Sequence, residues 1–343
     1  MITIYSDDHR KRDSKTELFG GELIQPFERP SRMDYILKQI KHRDLGEIVE
    51  PRDFGTGPIL RIHDEDYVTF LKSCWDEWIA EGMKGEAIAA SWPARRMQQR
   101  CPEHIDGKLG YYALAAETAI CSGTWEAALA SANVALEGAE RLKQERAVFA
   151  LCRPPGHHAA IDLYGGYCFL NNAAIAAQSL IDKGSKRVAV LDVDFHHGNG
   201  TQDIFYSRDD VLFISLHGAP EDAFPHFLGY QDEIGEAAGD GYNFNFPMPP
   251  GTPFDPWRDA LRHAMDRITL YDPDALVISL GTDTFEKDPI SFFKLKSDDF
   301  YTYGGDLAAL NLPSLFVMEG GYAIDEIGIN AINVLKGFED ASH

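Results

Sequence analysis

Short apolar runs recur along the chain, and each stops on polar residues. Residues 2–5, 147–151, 188–191, 211–216, 275–280 and 314–318 have the length and aliphatic content of buried strands, with a further short strand at 244–246. Between them the apolar positions fall at helical spacing over 32–42, 64–80, 109–121, 124–142, 171–182, 201–206, 256–270, 298–310 and 325–335. The 64–80 helix carries Tyr67, Phe70, Leu71, Trp75 and Trp78 on one broad face, and Ser122-Gly123-Thr124 signals the start of the 124–142 helix. Residues 14–28 and 82–106 show no period and read as long loops, which inside a compact domain are often functional. Alternating strands and helices predict a parallel sheet covered on both faces. No repeat or shift in composition divides the chain, so one α/β domain over residues 1–343 is expected.

Charge narrows the range of ligands. Against 32 Lys and Arg stand 54 Asp and Glu, a net −22, which disfavours nucleic acid and anionic membranes and favours cationic small molecules or peptides. The first residues lack the basic start and apolar core of a signal peptide, and no apolar stretch is long enough to span a bilayer. Cys74, Cys101, Cys121, Cys152 and Cys168 are odd in number and lack Cys-x-x-Cys spacing, which fits a reducing cytoplasm rather than a disulfide framework.

The chemistry lies where the strands end. His157 and His158 follow the 147–151 run, and Asp192, Asp194, His196, His197 and Asn199 follow 188–191. Asp283 follows 275–280, and Tyr322 follows 314–318. Parallel strands present these ends along one edge, where α/β folds bind ligands. Carboxylates and imidazoles packed so densely are costly to bury unless paired or bound to a cation. Asp194 and His196 are two residues apart, so on an extended segment both point the same way, whereas His197 points away. With Asp283 they make an Asp2His set, the three-ligand arrangement with an open position that suits a catalytic zinc; Fe2+ or Co2+ also fits such oxygen-rich ligation.

The motifs RPPGHH, GGYCFLNN, LDVDFHHGNGTQDIF, SLGTDTFEKDP and MEGGY, in order from Arg153 to Tyr322, resemble the histone-deacetylase family of the arginase/deacetylase fold. KTELFGGELIQPFE at 15–28 and the 82–110 segment resemble its acetylpolyamine amidohydrolase branch. The resemblance implies a central, mostly parallel sheet flanked by helices on both faces. It implies one Zn2+ per subunit on Asp194, His196 and Asp283, with His157 and His158 as tandem catalytic histidines and Tyr322 polarising the acetyl carbonyl. Gly166, Tyr167 and Phe224 would line a tunnel, with Ile290 at its mouth. Glu17, Asp106 and Glu117 match positions that contact a polyamine. A structural K+ would be held by Asp192, Asp194, His196, Ser215 and Leu216, and a peripheral one by carbonyls around Phe205, Arg208, Val211 and Tyr242. The 82–110 segment would mediate a homodimer that narrows the entrance, with Trp92, Arg95 and Arg96 as interface residues.

One departure stands at Asn199, where many deacetylases have Asp. An amide supports an imidazolium less than a carboxylate does, so His158 is expected to stay neutral and serve as base and then acid, while Asp192 holds His157 in an electrostatic role. A binuclear manganese site would need a second carboxylate at position 281, which is Gly281, so guanidine hydrolysis is disfavoured. The expected activity is hydrolysis of acetylated polyamines such as acetylputrescine, acetylcadaverine and acetylspermidine. The alternatives are deacetylation of acetyl-lysine in proteins, or broader acyl-amide hydrolysis, by the same site. A silent module that only binds acetylated ligands would not need the full set of catalytic residues.

Overall fold

The computed structural model describes residues 1–94, 96 and 98–342. The strands are β1 (Ile2–Ile4), β2 (Glu17–Phe19), β3 (Glu22–Ile24), β4 (Ile48–Val49), β5 (Ala147–Ala150), β6 (Val188–Asp192), β7 (Val211–Gly218), β8 (Asn243–Met248), β9 (Ala275–Leu280) and β10 (Ser314–Met318). The helices are α1 (Ser31–His42), α2 (Glu65–Ala80), α3 (Ile105–Tyr112), α4 (Thr124–Arg141), α5 (Asn172–Asp182), α6 (Asn199–Phe205), α7 (Phe254–Tyr271), α8 (Ser297–Ala308) and α9 (Ile327–Ala341). Eight strands form one sheet in the order β4-β1-β5-β10-β9-β6-β7-β8, and β2 pairs with β3 separately. Every pairing in the large sheet is parallel, and β2–β3 is antiparallel.

Strand periodicity divides the apolar residues between two cores. Val188 and Val190 pack with Val148, Val277 and Val317 beneath α2, α4 and α5. Ala189 and Leu191 face the other way, with Leu276, Ile278 and Phe316, beneath α1, α7, α8 and α9. Every residue of β6, β9 and β10 is buried, which explains why these strands read as continuous apolar runs. The strands ahead of the four polar clusters, β5, β10, β9 and β6, are consecutive neighbours in the sheet. Their C-terminal ends therefore adjoin.

Two expectations are corrected. Residues 109–121 do not form one alanine-rich helix: α3 ends at Tyr112 and Ala113 turns extended. The Leu114 N–H donates to the Tyr164 carbonyl at 2.7 Å, and Ala87 and Ile120 exchange backbone hydrogen bonds at 2.9 Å. Tertiary backbone pairing there overrides local helix propensity. The 14–28 loop contains the β2–β3 hairpin, in which Phe19 faces Glu22 across a Gly20-Gly21 turn. Both glycines have positive φ, 59° and 86°, as the tight hairpin turn requires. Among the described residues no helix is long and apolar enough to cross a membrane.

Candidate active site

The loop leaving β6 is held by its own side chains and by the loops after β9 and β10. The His196 N–H donates to Asp194 Oδ1 at 2.9 Å, and the Phe195 N–H donates to Asp283 Oδ1 at 2.8 Å. Asp194 Oδ2 accepts the Gly320 N–H at 2.8 Å, from the loop after β10. His196 Nδ1 lies 3.1 Å from Asp283 Oδ2 and 3.3 Å from Asp194 Oδ1. One ligand atom from each of Asp194, His196 and Asp283 falls within 4.8 Å of the others, and all three residues are buried.

This trio fits a divalent metal on electrostatic grounds. Burial, then the neighbouring charge of Asp194, push the Asp283 carboxyl up to about 6. Two fully buried carboxylates side by side are stable only with a cation or a shared proton. Protein packs tightly around the remaining sides. A Cβ at Gly281 or Gly320 would collide with the Asp194 carboxylate, so no second carboxylate fits at 281. The open side faces a cavity of about 230 Å³ that His196 lines.

The tandem histidines have different partners. His157 Nδ1 faces Asp192 Oδ2 at 2.9 Å, and His158 Nδ1 faces Asn199 Oδ1 at 2.6 Å. The Asn199 amide nitrogen donates to the His158 carbonyl at 3.4 Å, so its oxygen faces the ring. His158 Nδ1 must then carry the proton, which leaves the Nε2 lone pair free. Burial, reinforced by the nearby His157 and His196, holds the His158 pKa well below its ordinary value. Burial also opposes charging His157, but the carboxylates of Asp194 and Asp192 outweigh it and hold its pKa at about 10.

Tyr322 closes the opposite side. Its N–H donates to Asp288 Oδ2 at 2.7 Å, and the Arg32 guanidinium lies 4.9 Å from its ring centroid. Arg32 also donates to the carbonyls of Glu319 at 2.6 Å and Gly321 at 2.8 Å. Burial keeps the Tyr322 phenol protonated, its pKa well above the ordinary value. Tyr167 and Phe224 line the cavity, with Gly166, Glu17, Glu117 and Ile290 also in its lining. A Cβ at Gly166 would strike the His158 ring, and its φ of +55° favours glycine for a second reason.

The histone deacetylase domain model matches residues 26–338. The chain belongs to the histone deacetylase family. Acetylpolyamine amidohydrolase from Mycoplana ramosa is 56% identical over 98% of this chain and 99% of its own. Acetylpolyamine amidohydrolase 2 from Pseudomonas aeruginosa is 55% identical over 99% of both. The crystal structure of acetylpolyamine aminohydrolase from Burkholderia pseudomallei superposes with a TM-score of 0.95 at 38% identity, covering 99% of each chain.

In this deacetylase the residues expected at the mouth divide. Glu117 lines the cavity and accepts hydrogen bonds from the Gly166 N–H at 2.7 Å and the Thr118 hydroxyl at 2.9 Å. Glu17 also lines it, yet is 1% exposed, with Oε1 accepting from the Tyr167 hydroxyl at 2.6 Å and Oε2 from the Phe27 N–H at 3.0 Å. Asp106 is not brought to the cavity: it is exposed in the first turn of α3. Trp92 is 44% exposed and Arg96 is exposed, while Arg95 lies outside the described residues. The Trp92 indole N–H is already bound to the Ala113 carbonyl of its own chain at 2.9 Å.

The residues expected around potassium keep oxygen lone pairs free. His217 Nε2 must donate to the Gly229 carbonyl at 2.9 Å, so its Nδ1 accepts from the Ser215 hydroxyl at 2.8 Å. Ser215 Oγ therefore retains acceptor capacity next to Asp192, its neighbour in register across β6 and β7. At the peripheral position the carbonyls of Phe205 and Tyr242 each accept one backbone N–H, from Arg208 and Phe213, which leaves a second lone pair.

Sequence reasoning missed Phe19 at the mouth, the Asp288 anchor of Tyr322, and Glu319, which accepts from the Gly156 and His157 amides at 2.6 and 3.2 Å. The Gly20-Gly21 pair is the sequence signal that could have found the hairpin that presents Phe19. The acids of EKDP and MEGGY stood inside recognised motifs without a visible task, because their partners are backbone amides.

Proposed function

We propose that this deacetylase hydrolyses the acetamide of small acetylated polyamines, releasing acetate and the free amine, with one Zn2+ per subunit on Asp194, His196 and Asp283. The observation that carries the reading is a cavity lined by His196 of that trio, by His158 and by Tyr322, with Glu117 also in its lining. Relatives named acetylpolyamine amidohydrolase that match over nearly the whole chain support the same substrate class. An ammonium leaving water at such a mouth needs a carboxylate nearby.

When bound, the metal supplies Lewis acidity toward the amide carbonyl and toward water. Neutral His158, with its Nε2 lone pair exposed to the cavity, takes the proton of the attacking water and returns it to the leaving amine. His157, held by Asp192, contributes positive charge. The Tyr322 hydroxyl donates to the carbonyl oxygen as negative charge develops there. Asp192, Asp194, Ser215 and the His196 and Leu216 carbonyls would hold a structural K+, and carbonyls at Phe205, Arg208, Val211 and Tyr242 a peripheral one. The five unpaired cysteines support a cytoplasmic location.

Steady-state comparison of acetylputrescine, acetylcadaverine, acetylspermidine and an acetyl-lysine peptide tests the substrate class. A kcat/KM for the peptide equal to or above the polyamines would move the assignment to protein deacetylation. The 82–110 segment forms the dimer interface in this reading, which brings a second copy over the mouth. A light-scattering mass of one chain, with activity and polyamine selectivity intact, would defeat that element.

A further inference from the structure

Behind the catalytic trio a second set of buried ligand atoms converges. His157, Cys168 and Glu319 each offer one such atom within 4.8 Å of the others, and all three residues are buried. Glu319 Oε2 is occupied by the amides of Gly156 and His157. Its other oxygen, Oε1, is fully buried and has no hydrogen-bond partner. A buried carboxylate oxygen without a partner is costly, so this atom has capacity for a cation. The Cys168 thiol makes a contact of 3.3 Å with the Gly166 carbonyl. Asp192 occupies His157 Nδ1, leaving Nε2, 3.8 Å from Asp194 Oδ1, as the ring atom able to ligate once it loses its proton.

We propose that His157, Cys168 and Glu319 form a second metal site, selective for Zn2+, whose occupation switches the deacetylase off. A thiolate, an imidazole and a carboxylate suit tetrahedral zinc and disfavour Mg2+ and Ca2+, which take oxygen ligands. Ligand atoms on zinc lie roughly 3–4 Å apart, so the set closes with a movement of about one ångström. Asp192 behind His157 reproduces the carboxylate–histidine–metal arrangement that orients ligating imidazoles. Binding forms one bond each to sulfur, nitrogen and oxygen, releases the thiol proton and the His157 Nε2 proton to solvent and transfers no electrons. The ion removes His157 from catalysis while leaving the mouth intact, so kcat falls and KM holds.

Only the inhibitory consequence rests on the proposed role of His157; binding of the second ion is read without substrate. The experiment starts from enzyme carrying one Zn2+ per subunit and adds Zn2+, with stoichiometry followed by equilibrium dialysis. Cd2+ serves as a parallel probe, read by thiolate-to-metal charge-transfer absorption. Wild type is expected to take up a second ion, release about two protons, one from the Cys168 thiol and one from His157, and lose turnover. Cys168→Ser and Cys168→Ala should keep basal turnover, lose the absorption band and bind the second ion at least tenfold more weakly. Glu319→Gln should weaken the same step, measured as binding rather than rate. Failure of the wild type to bind a second ion, or equal affinity and inhibition in the Cys168 variants, overturns the proposal.

Discussion

Tyr322 shows how one residue depends on several elements. The loop after β10 carries it, Asp288 holds its backbone amide, and Arg32 from α1 lies against its ring. Burial keeps its phenol protonated, so it can donate throughout the accessible pH range. Tyr322→Phe removes a donor to charge that exists only in the transition state. Its kcat should fall about 10²–10³-fold with KM nearly unchanged, as for loss of one oxyanion donor. An equal rise in KM would assign Tyr322 to ground-state binding instead. The sequence marked this tyrosine by its place after an apolar strand. It gave no sign of the Asp288 and Arg32 supports, since those contacts join segments distant along the chain.

At the scale of elements, the β2–β3 hairpin and the loop after β5 do the positioning. Glu17 in β2 holds the Tyr167 hydroxyl, and Tyr167 forms one tunnel wall. Glu17→Ala leaves that buried hydroxyl unpaired, costing about 1–3 kcal/mol, and loosens the wall. Thermal stability should drop and KM for acetylputrescine should rise, with Glu17→Gln closer to wild type because it keeps an acceptor. A wild-type KM in both variants would remove the hairpin from substrate positioning.

Deeper in, Glu28 ties this region to α1. Its carboxylate pairs with Arg12 at 3.0 Å, Arg32 at 3.2 Å and Arg153 at 2.6 Å. Burial would raise the Glu28 pKa, but the guanidiniums of Arg153, Arg12 and Arg32 outweigh it and hold it at about 2. The unfolded carboxyl titrates near ~4.3. A depressed folded pKa adds stability that is fully present above the unfolded value and is lost as pH falls toward 2, about 3 kcal/mol in all. Glu28→Gln strands three buried cations and should cost about 3–5 kcal/mol near neutral pH. Its deficit in urea denaturation should shrink below pH ~4; a deficit constant with pH would contradict the ion-pair account.

Across the whole molecule, the candidate metal site joins segments that are distant along the chain. Asp194 and His196 follow β6, Asp283 follows β9, and Gly320 after β10 donates to Asp194. Chelation should therefore do more than stop turnover. With the cation gone, the buried carboxylates repel one another, and the melting temperature should fall and recover on adding Zn2+. Loss of activity with an unchanged melting temperature would mean that the site is held rigid by protein contacts alone.

The sequence by itself determined seven of the eight strands of the large sheet and the residues at their ends, and it singled out Asp194, His196 and Asp283 as a candidate metal set. Continuous apolar runs and the alternation of strand with helix fix which ends share an edge, and adjacent positions such as His196 and His197 diverge without any long-range information. Only the tertiary structure decided the fate of the outlying acids. Glu17 is buried against Tyr167, Glu117 lines the mouth, and Asp106 points to solvent from α3. The structure also broke the predicted 109–121 helix, since its backbone pairs with Tyr164 and Ala87 instead. The physical reason is common to these cases. Aperiodic loops are placed by hydrogen bonds to distant backbone, and that pairing leaves no local pattern in the chain.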